Sequence, residues 1–156
     1  MADYSKPVAM NILAENDAAY IAGFVDGEGS ICFHRNHKND SKTTTYSPRL
    51  RITNTNKDVL DWIAVVIGLG KVRSQKLYAN NTKPVYEWYA SGRYSIAVLK
   101  QLIPFLKVKK LQAETCVSYG LTLQKSGRLR LAQEVIDERE ILRNNVVSLN
   151  RTSAMG

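Results

Sequence analysis

Ile21-Ala22-Gly23-Phe24-Val25-Asp26-Gly27-Glu28-Gly29-Ser30 is the stretch on which the fold turns. Asn16 and Asp17 ahead of it are good helix N-caps, because their side-chain oxygens can accept from first-turn N–H groups. The run from Ala18 to Asp26 then reads as a short helix ended by the breaker Gly27-Glu28-Gly29. Gly23 and Gly27 weaken that helix, each by about 0.8–1 kcal/mol against alanine, so something outside it must compensate. Small residues on one helix face let two backbones approach closely. The helix is therefore expected to pack against a copy of itself through Ala22, Gly23 and Gly27. Glu28 then lies at its C-terminal end beside the symmetry axis, where two carboxylates meet.

Working outward, Ser30 to Asn36 alternates apolar Ile31 and Phe33 with Ser30, Cys32 and His34, and Arg49 to Thr53 alternates Leu50 and Ile52 with Arg49, Arg51 and Thr53. Two half-buried strands joined by the polar loop Lys38 to Thr45 follow. Val59, Leu60, Ile63, Val66 and Ile67 recur at helical spacing and Gly68 to Gly70 ends that helix. Lys71 to Leu77 and Val85 to Ala90 read as a second strand pair around Asn80-Asn81-Thr82-Lys83-Pro84. Ser95 to Phe105 is helical and broken by Pro104, Lys109 to Leu123 is helical, and Leu129 to Leu149 places Ala132, Val135, Ile136, Leu142, Val146 and Leu149 on one face. The division is an arm over 1–16, a core over 17–123 and a helical segment of the same domain over 124–156, with Thr152 to Gly156 frayed. The class is α+β.

The chain has 156 residues and a net charge of +8, which calls for a polyanionic partner. The excess sits in the middle: His34 to Lys110 holds 15 Lys/Arg against 4 Asp/Glu, and the remainder nets −3. Cys32 and Cys116 lack the paired spacing of a zinc site or a disulfide framework and read as reduced thiols. No run of about 18 apolar residues offers a membrane span, and the start has neither a signal h-region nor an Arg-rich transit pattern.

The stretch from Ile21 to Ser30 resembles the LAGLIDADG motif of homing endonucleases position by position, with conservative replacements at Ile21, Phe24, Val25, Gly27 and Glu28. Ile52-Thr53-Asn54-Thr55-Asn56-Lys57-Asp58, followed by Leu60, Ile63 and Gly68-Leu69-Gly70, looks like the family's second strand and helix. Pro104 to Ala113 looks like its basic segment near the active site. The resemblance implies an αββαββα core whose four antiparallel strands form a DNA-binding saddle. A single motif copy implies a homodimer of the family's one-motif type acting on a long, nearly palindromic DNA target. It also implies an intron-encoded protein of an organelle, mitochondrion or chloroplast.

A hard carboxylate oxygen suits Mg²⁺ (or Mn²⁺), which keeps several waters and takes one or two protein carboxylates. Glu28 is the expected metal ligand, joined by the backbone carbonyl of Gly27. Lys109 matches the family's active-site lysine. Asn54 stands where many relatives carry Gln and is shorter by a methylene. Asp26 is expected to bind backbone N–H groups. Major-groove reading falls to the outward strand residues: Ser30, His34 and Asn36, then Ser47, Arg49 and Arg51, then Lys71, Arg73 and Gln75, with Tyr86 and Trp88 on the fourth strand. Lys42, Lys76 and Lys83 in loops suit phosphates. His34 and His37 read as base or phosphate contacts, Cys32 as a base contact or a packing residue, and Trp62 as packing. These faces rest on period-two alternation, which a one-residue slip inverts. Two other function classes fit the same residues: an RNA-binding intron maturase and a catalytically silent DNA-binding regulator, the latter disfavoured by the presence of both Glu28 and Lys109.

Overall fold

The structure is a computed structural model that describes residues 7–36, 45–75, 83–124 and 133–155. His37, Lys42, Lys76 and most of the two predicted inter-strand loops lie outside those residues. The helices are α1 (Glu15–Glu28), α2 (Lys57–Ile67), α3 (Arg93–Leu102), α4 (Lys110–Gln124) and α5 (Gln133–Met155), with a 3-10 turn at Ile103–Phe105. The strands are β1 (Gly29–Asn36), β2 (Thr45–Asn54), β3 (Lys71–Ser74) and β4 (Tyr86–Ser91), all antiparallel in the order β1-β2-β4-β3. The predicted α+β class and αββαββα order are what the chain adopts. Among the described residues no helix is long and apolar enough to cross a membrane.

Alternation along the sheet sets its two faces. Ile31, Leu50, Ile52, Trp88 and Ala90 point into a core closed by Ile21 and Val25 of α1, Leu60, Ile63 and Ile67 of α2, and Val98, Leu99 and Leu102 of α3. The helices that close this core pack on that side of the sheet, and among the described residues the opposite face stays open, with His34, Lys71 and Arg73 exposed.

Two helix bounds are corrected. α1 does not stop at Asp26 but runs through Gly27 and Glu28, and it starts at Glu15 with Ala14 as an N-cap without a side-chain bond, so Asn16 and Asp17 are inside the helix. α5 extends past Leu149 to Met155. It is tied down over much of its length. The Tyr46 hydroxyl donates to the Glu140 carboxylate, Arg139 donates to the hydroxyl (2.9 Å) and carbonyl (3.1 Å) of Thr122, Val146 is buried, and the Asn150 amide donates to the Ile31 carbonyl of edge strand β1 at 2.8 Å. Trp62 packs edge-on against Tyr20, ring centroids 5.4 Å apart, with 37% of its surface exposed.

Gly70 shows how tightly the sheet is packed. It has φ 92°, and a Cβ there would lie 2.3 Å from the Trp88 indole nitrogen, which donates to the Leu69 carbonyl at 3.2 Å. Only glycine combines that backbone conformation with that approach.

Candidate active site

The C-terminal turn of α1 is held by a segment more than eighty residues away in sequence. The Asp26 carboxylate accepts from the backbone N–H of Lys107 (2.8 Å) and of Lys109 (3.0 Å), the backbone role expected of it. In return the Lys109 ammonium donates to the carbonyls of Val25 (3.1 Å) and Asp26 (2.6 Å). Carbonyls at the end of the helix carry the negative end of its dipole, so a cation is favourable there even though the Val25 carbonyl also accepts from the Gly29 N–H. Burial nevertheless pushes the Lys109 ammonium below its ordinary value of 10.5, against the opposing pull of Asp26 and Glu28. Lys109 thus feels the Glu28 carboxylate while hydrogen-bonding elsewhere.

Glu28 and Gly27 are both exposed at this end. Gly29 then turns the chain straight into β1. A Cβ on Gly29 would lie 2.7 Å from the Val25 carbonyl oxygen, so a larger residue would force helix and strand apart. Gly29 pairs with Ile52, which puts Asn54, two residues further along β2, at the same end of the sheet as Glu28. The Asn54 side-chain oxygen accepts from the Asn56 N–H at 2.8 Å, leaving its amide NH₂ for other partners, and Asn56 caps α2 through the Val59 N–H. Among the described residues no group of three or more His, Cys, Asp or Glu is placed to hold a metal ion. One carboxylate and one neighbouring carbonyl per chain are donors that suit a hard divalent cation with most of its waters retained.

Among the described residues, the outer face of α1 is bare at Gly23 and Gly27. Neither Gly23 nor Gly27 has an atom within 4 Å of where a Cβ would be. Ala22 is 0% exposed in the chain's own core, so its assignment to a dimer contact is corrected. It lies on the buried side with Ala18, Ile21 and Val25. Tyr20 (53% exposed) and Trp62 border the bare face and line a groove of about 520 Å³ with Asn16, Asp17, Asp58 and Val59.

On the open face of the sheet, Ser30 stands opposite Arg51, Cys32 opposite Arg49 and His34 opposite Ser47. Lys71, Arg73 and Gln75 are exposed at the far edge, and Lys83 is exposed nearby. Asn36 ends β1. The strand-four residues are corrected: Trp88 is 0% exposed and Tyr86 packs against the same core. The outward residues there are Glu87, Tyr89 and Ser91. The expectation slipped by one residue because both faces of Tyr86-Glu87-Trp88-Tyr89 carry aromatics, so alternation does not say which is inside. A usable signal was Glu87 itself, one of four acids in the basic middle of the chain.

A family model described as LAGLIDADG endonuclease matches residues 21–126. No curated protein matches the chain. Among solved structures, the homing endonuclease I-CvuI, in complex with the I-CreI target in 2 mM Mg with the DNA not cleaved, is similar over 86% of this chain and 82% of its own, at 24% identity and a TM-score of 0.73. The archaeal intron-encoded homing endonuclease I-Vdi141I, complexed with DNA, is similar over 91% and 99%, at 20% identity and a TM-score of 0.64. The homing endonuclease I-GzeII, in complex with its DNA target, is similar over 81% of this chain but 43% of its own, at 18% identity and a TM-score of 0.65. At these identities the likeness is one of fold.

Proposed function

Because this chain belongs to the LAGLIDADG endonuclease family, we propose that it is a homing endonuclease that hydrolyses double-stranded DNA as a homodimer, with Mg²⁺ or Mn²⁺ held by Glu28 and the Gly27 carbonyl. The observation that carries this reading is the exposed Glu28 at the end of a helix whose outer face, at Gly23 and Gly27, is bare. A two-fold axis along that face would bring a second Glu28 beside the first.

Two chains carry a net charge of +16. The outward residues Arg49, Arg51, Lys71 and Arg73 are presented by an antiparallel sheet, and antiparallel strands can enter the major groove. Two-fold symmetry then requires a target whose halves are nearly palindromic. A divalent metal, when bound, supplies charge neutralisation at the phosphate, a more acidic attacking water and help for the leaving oxygen. Glu28 provides the hard anionic ligand. Lys109, fixed by two carbonyls, holds a positive charge near that end of the helix, where negative charge grows on the phosphate in the transition state.

The test is selection of cleaved sequences from a randomised duplex library with Mg²⁺ and with EDTA. Enrichment of a two-fold related site, cut only with metal, supports the reading. Enrichment of an asymmetric site, equal cutting in EDTA, or no cleavage at all counts against it.

A further inference from the structure

Glu87 is 1% exposed, yet it belongs to the open face of the sheet rather than to the core. It stands between Thr53 on β2 and Arg73 on β3. Its Oε1 accepts from Arg73 Nε (3.2 Å) and Nη2 (2.8 Å), its Oε2 accepts from the Gln75 amide (2.9 Å), and Arg51 Nη1 lies 3.7 Å from the same Oε2. The other side of the Arg73 guanidinium rests on the Tyr89 ring, 4.3 Å from its centroid. The arginine is therefore gripped by a carboxylate and an aromatic ring while its side chain stays 56% exposed. Its bonds to Glu87 use the Nε–Nη2 edge of the guanidinium, which leaves the Nη1–Nη2 edge free in chemistry for a bidentate pair with guanine O6 and N7.

A buried carboxylate is expensive unless paired, and on a face that meets a polyanion it also lowers affinity for every sequence equally. Packing alone would be served by a neutral residue. What the charge adds is orientation: it restrains three side chains before DNA arrives, so less side-chain freedom is lost on binding the matching base pairs.

We propose that Glu87 is a positioning residue for base discrimination, acting through Arg73 and Gln75 without touching DNA itself. The inference rests on the proposed DNA-binding function.

The experiment compares parent, Glu87→Gln, Arg73→Lys and the double variant by binding selection from a randomised duplex library without metal. Glu87→Gln should flatten the preference at one base pair of each half-site by about 5- to 150-fold, the worth of a bidentate pair, while binding to non-specific duplex strengthens. Arg73→Lys keeps the charge but loses the fork, and should flatten the same base pair. Adding Glu87→Gln to it should then change that preference no further. In the DNA-free protein, the Arg73 Nε–H NMR signal should exchange slowly in the parent and rapidly in Glu87→Gln. An unchanged base profile in Glu87→Gln, additive effects in the double variant, or uniform weakening over all sequences overturns the proposal. If Glu87→Gln does not fold, slow Arg73 Nε–H exchange in the parent together with loss of the preference in Arg73→Lys supports it, and fast exchange in the parent overturns it. A parent that selects no sequence instead refutes the DNA-binding reading itself, and the exchange measurement still reports whether Arg73 is held.

Discussion

Replacing Gly23 with leucine should stabilise the single chain and break the dimer, and the opposite signs make the experiment decisive. Nothing lies within 4 Å of a Cβ at this position, so the isolated subunit has room for the side chain. Leucine for glycine inside a helix is worth about 0.7 kcal/mol, or about 2 °C in the melting temperature of a chain this size. In the proposed dimer the same side chain would separate two helices whose closeness depends on having no Cβ there. Association contributes about 2.7 kcal/mol at a hundredfold excess of concentration over Kd, and that contribution disappears. Melting should therefore rise for Gly23→Leu in dilute solution and fall at high concentration, with sedimentation at micromolar protein giving a dimer for the parent and a monomer for the variant. Ala22→Leu is the control. Ala22 is fully buried in its own subunit, so overpacking costs about 1–3 kcal/mol at every concentration. A Gly23→Leu dimer that is more stable than the parent at all concentrations would refute the interface.

Lys109→Met should slow cleavage by roughly 10²-fold or more, the usual cost of losing one fixed charge-stabilising donor. Burial lowers the Lys109 ammonium from 10.5, so the alkaline limb of the parent's cleavage rate should begin below that value, and Lys109→Arg should remove the limb; a limb unchanged in Lys109→Arg assigns it to another group. For stability the sign is reversed from a paired lysine: just below pH 10.5 the unfolded chain binds more protons, so the Lys109 contribution rises with pH through that window, as thermal melts of parent and Lys109→Met should show. Gly70→Ala should destabilise by about 1–3 kcal/mol from its positive φ alone, with more from contact with the Trp88 indole; melting within a degree of the parent would contradict this. Trp88→Ala should lower stability by about 3–5 kcal/mol and leave the order of base preferences intact in the folded fraction, since Trp88 lies in the core; a changed preference would return it to the DNA face.

Element order was legible because periodicity is local: Val59, Leu60, Ile63, Val66 and Ile67 define α2 without reference to anything else. The end of α1 was not. Glycine at position 27 reads as a breaker, yet Asp26 and Lys109 hold the last turn through bonds between positions 81 to 84 residues apart in sequence. Ala22 and Gly23 look alike in sequence because neither carries the polar or large apolar side chain that marks a helix face, and only packing tells them apart. On β1 and β2 a clear contrast, Ile31 against His34 and Leu50 against Arg49 and Arg51, fixed the faces correctly. β4 offered aromatics on both sides, and the buried carboxylate of Glu87 is satisfied by Arg73 on a neighbouring strand that no local pattern announces.

The most direct test of the central claim is Glu28→Gln, measured as gel-shift affinity without metal beside cleavage rate in saturating Mg²⁺, for variant and parent on the selected site. The change keeps the side chain's shape, removes the charge proposed to hold the metal, and leaves the outward strand residues untouched. Binding should equal the parent's or rise slightly as two carboxylates at the axis become neutral, while cleavage falls by at least about 10²-fold. Cleavage close to the parent's rate would contradict the account and remove Glu28 from the chemistry.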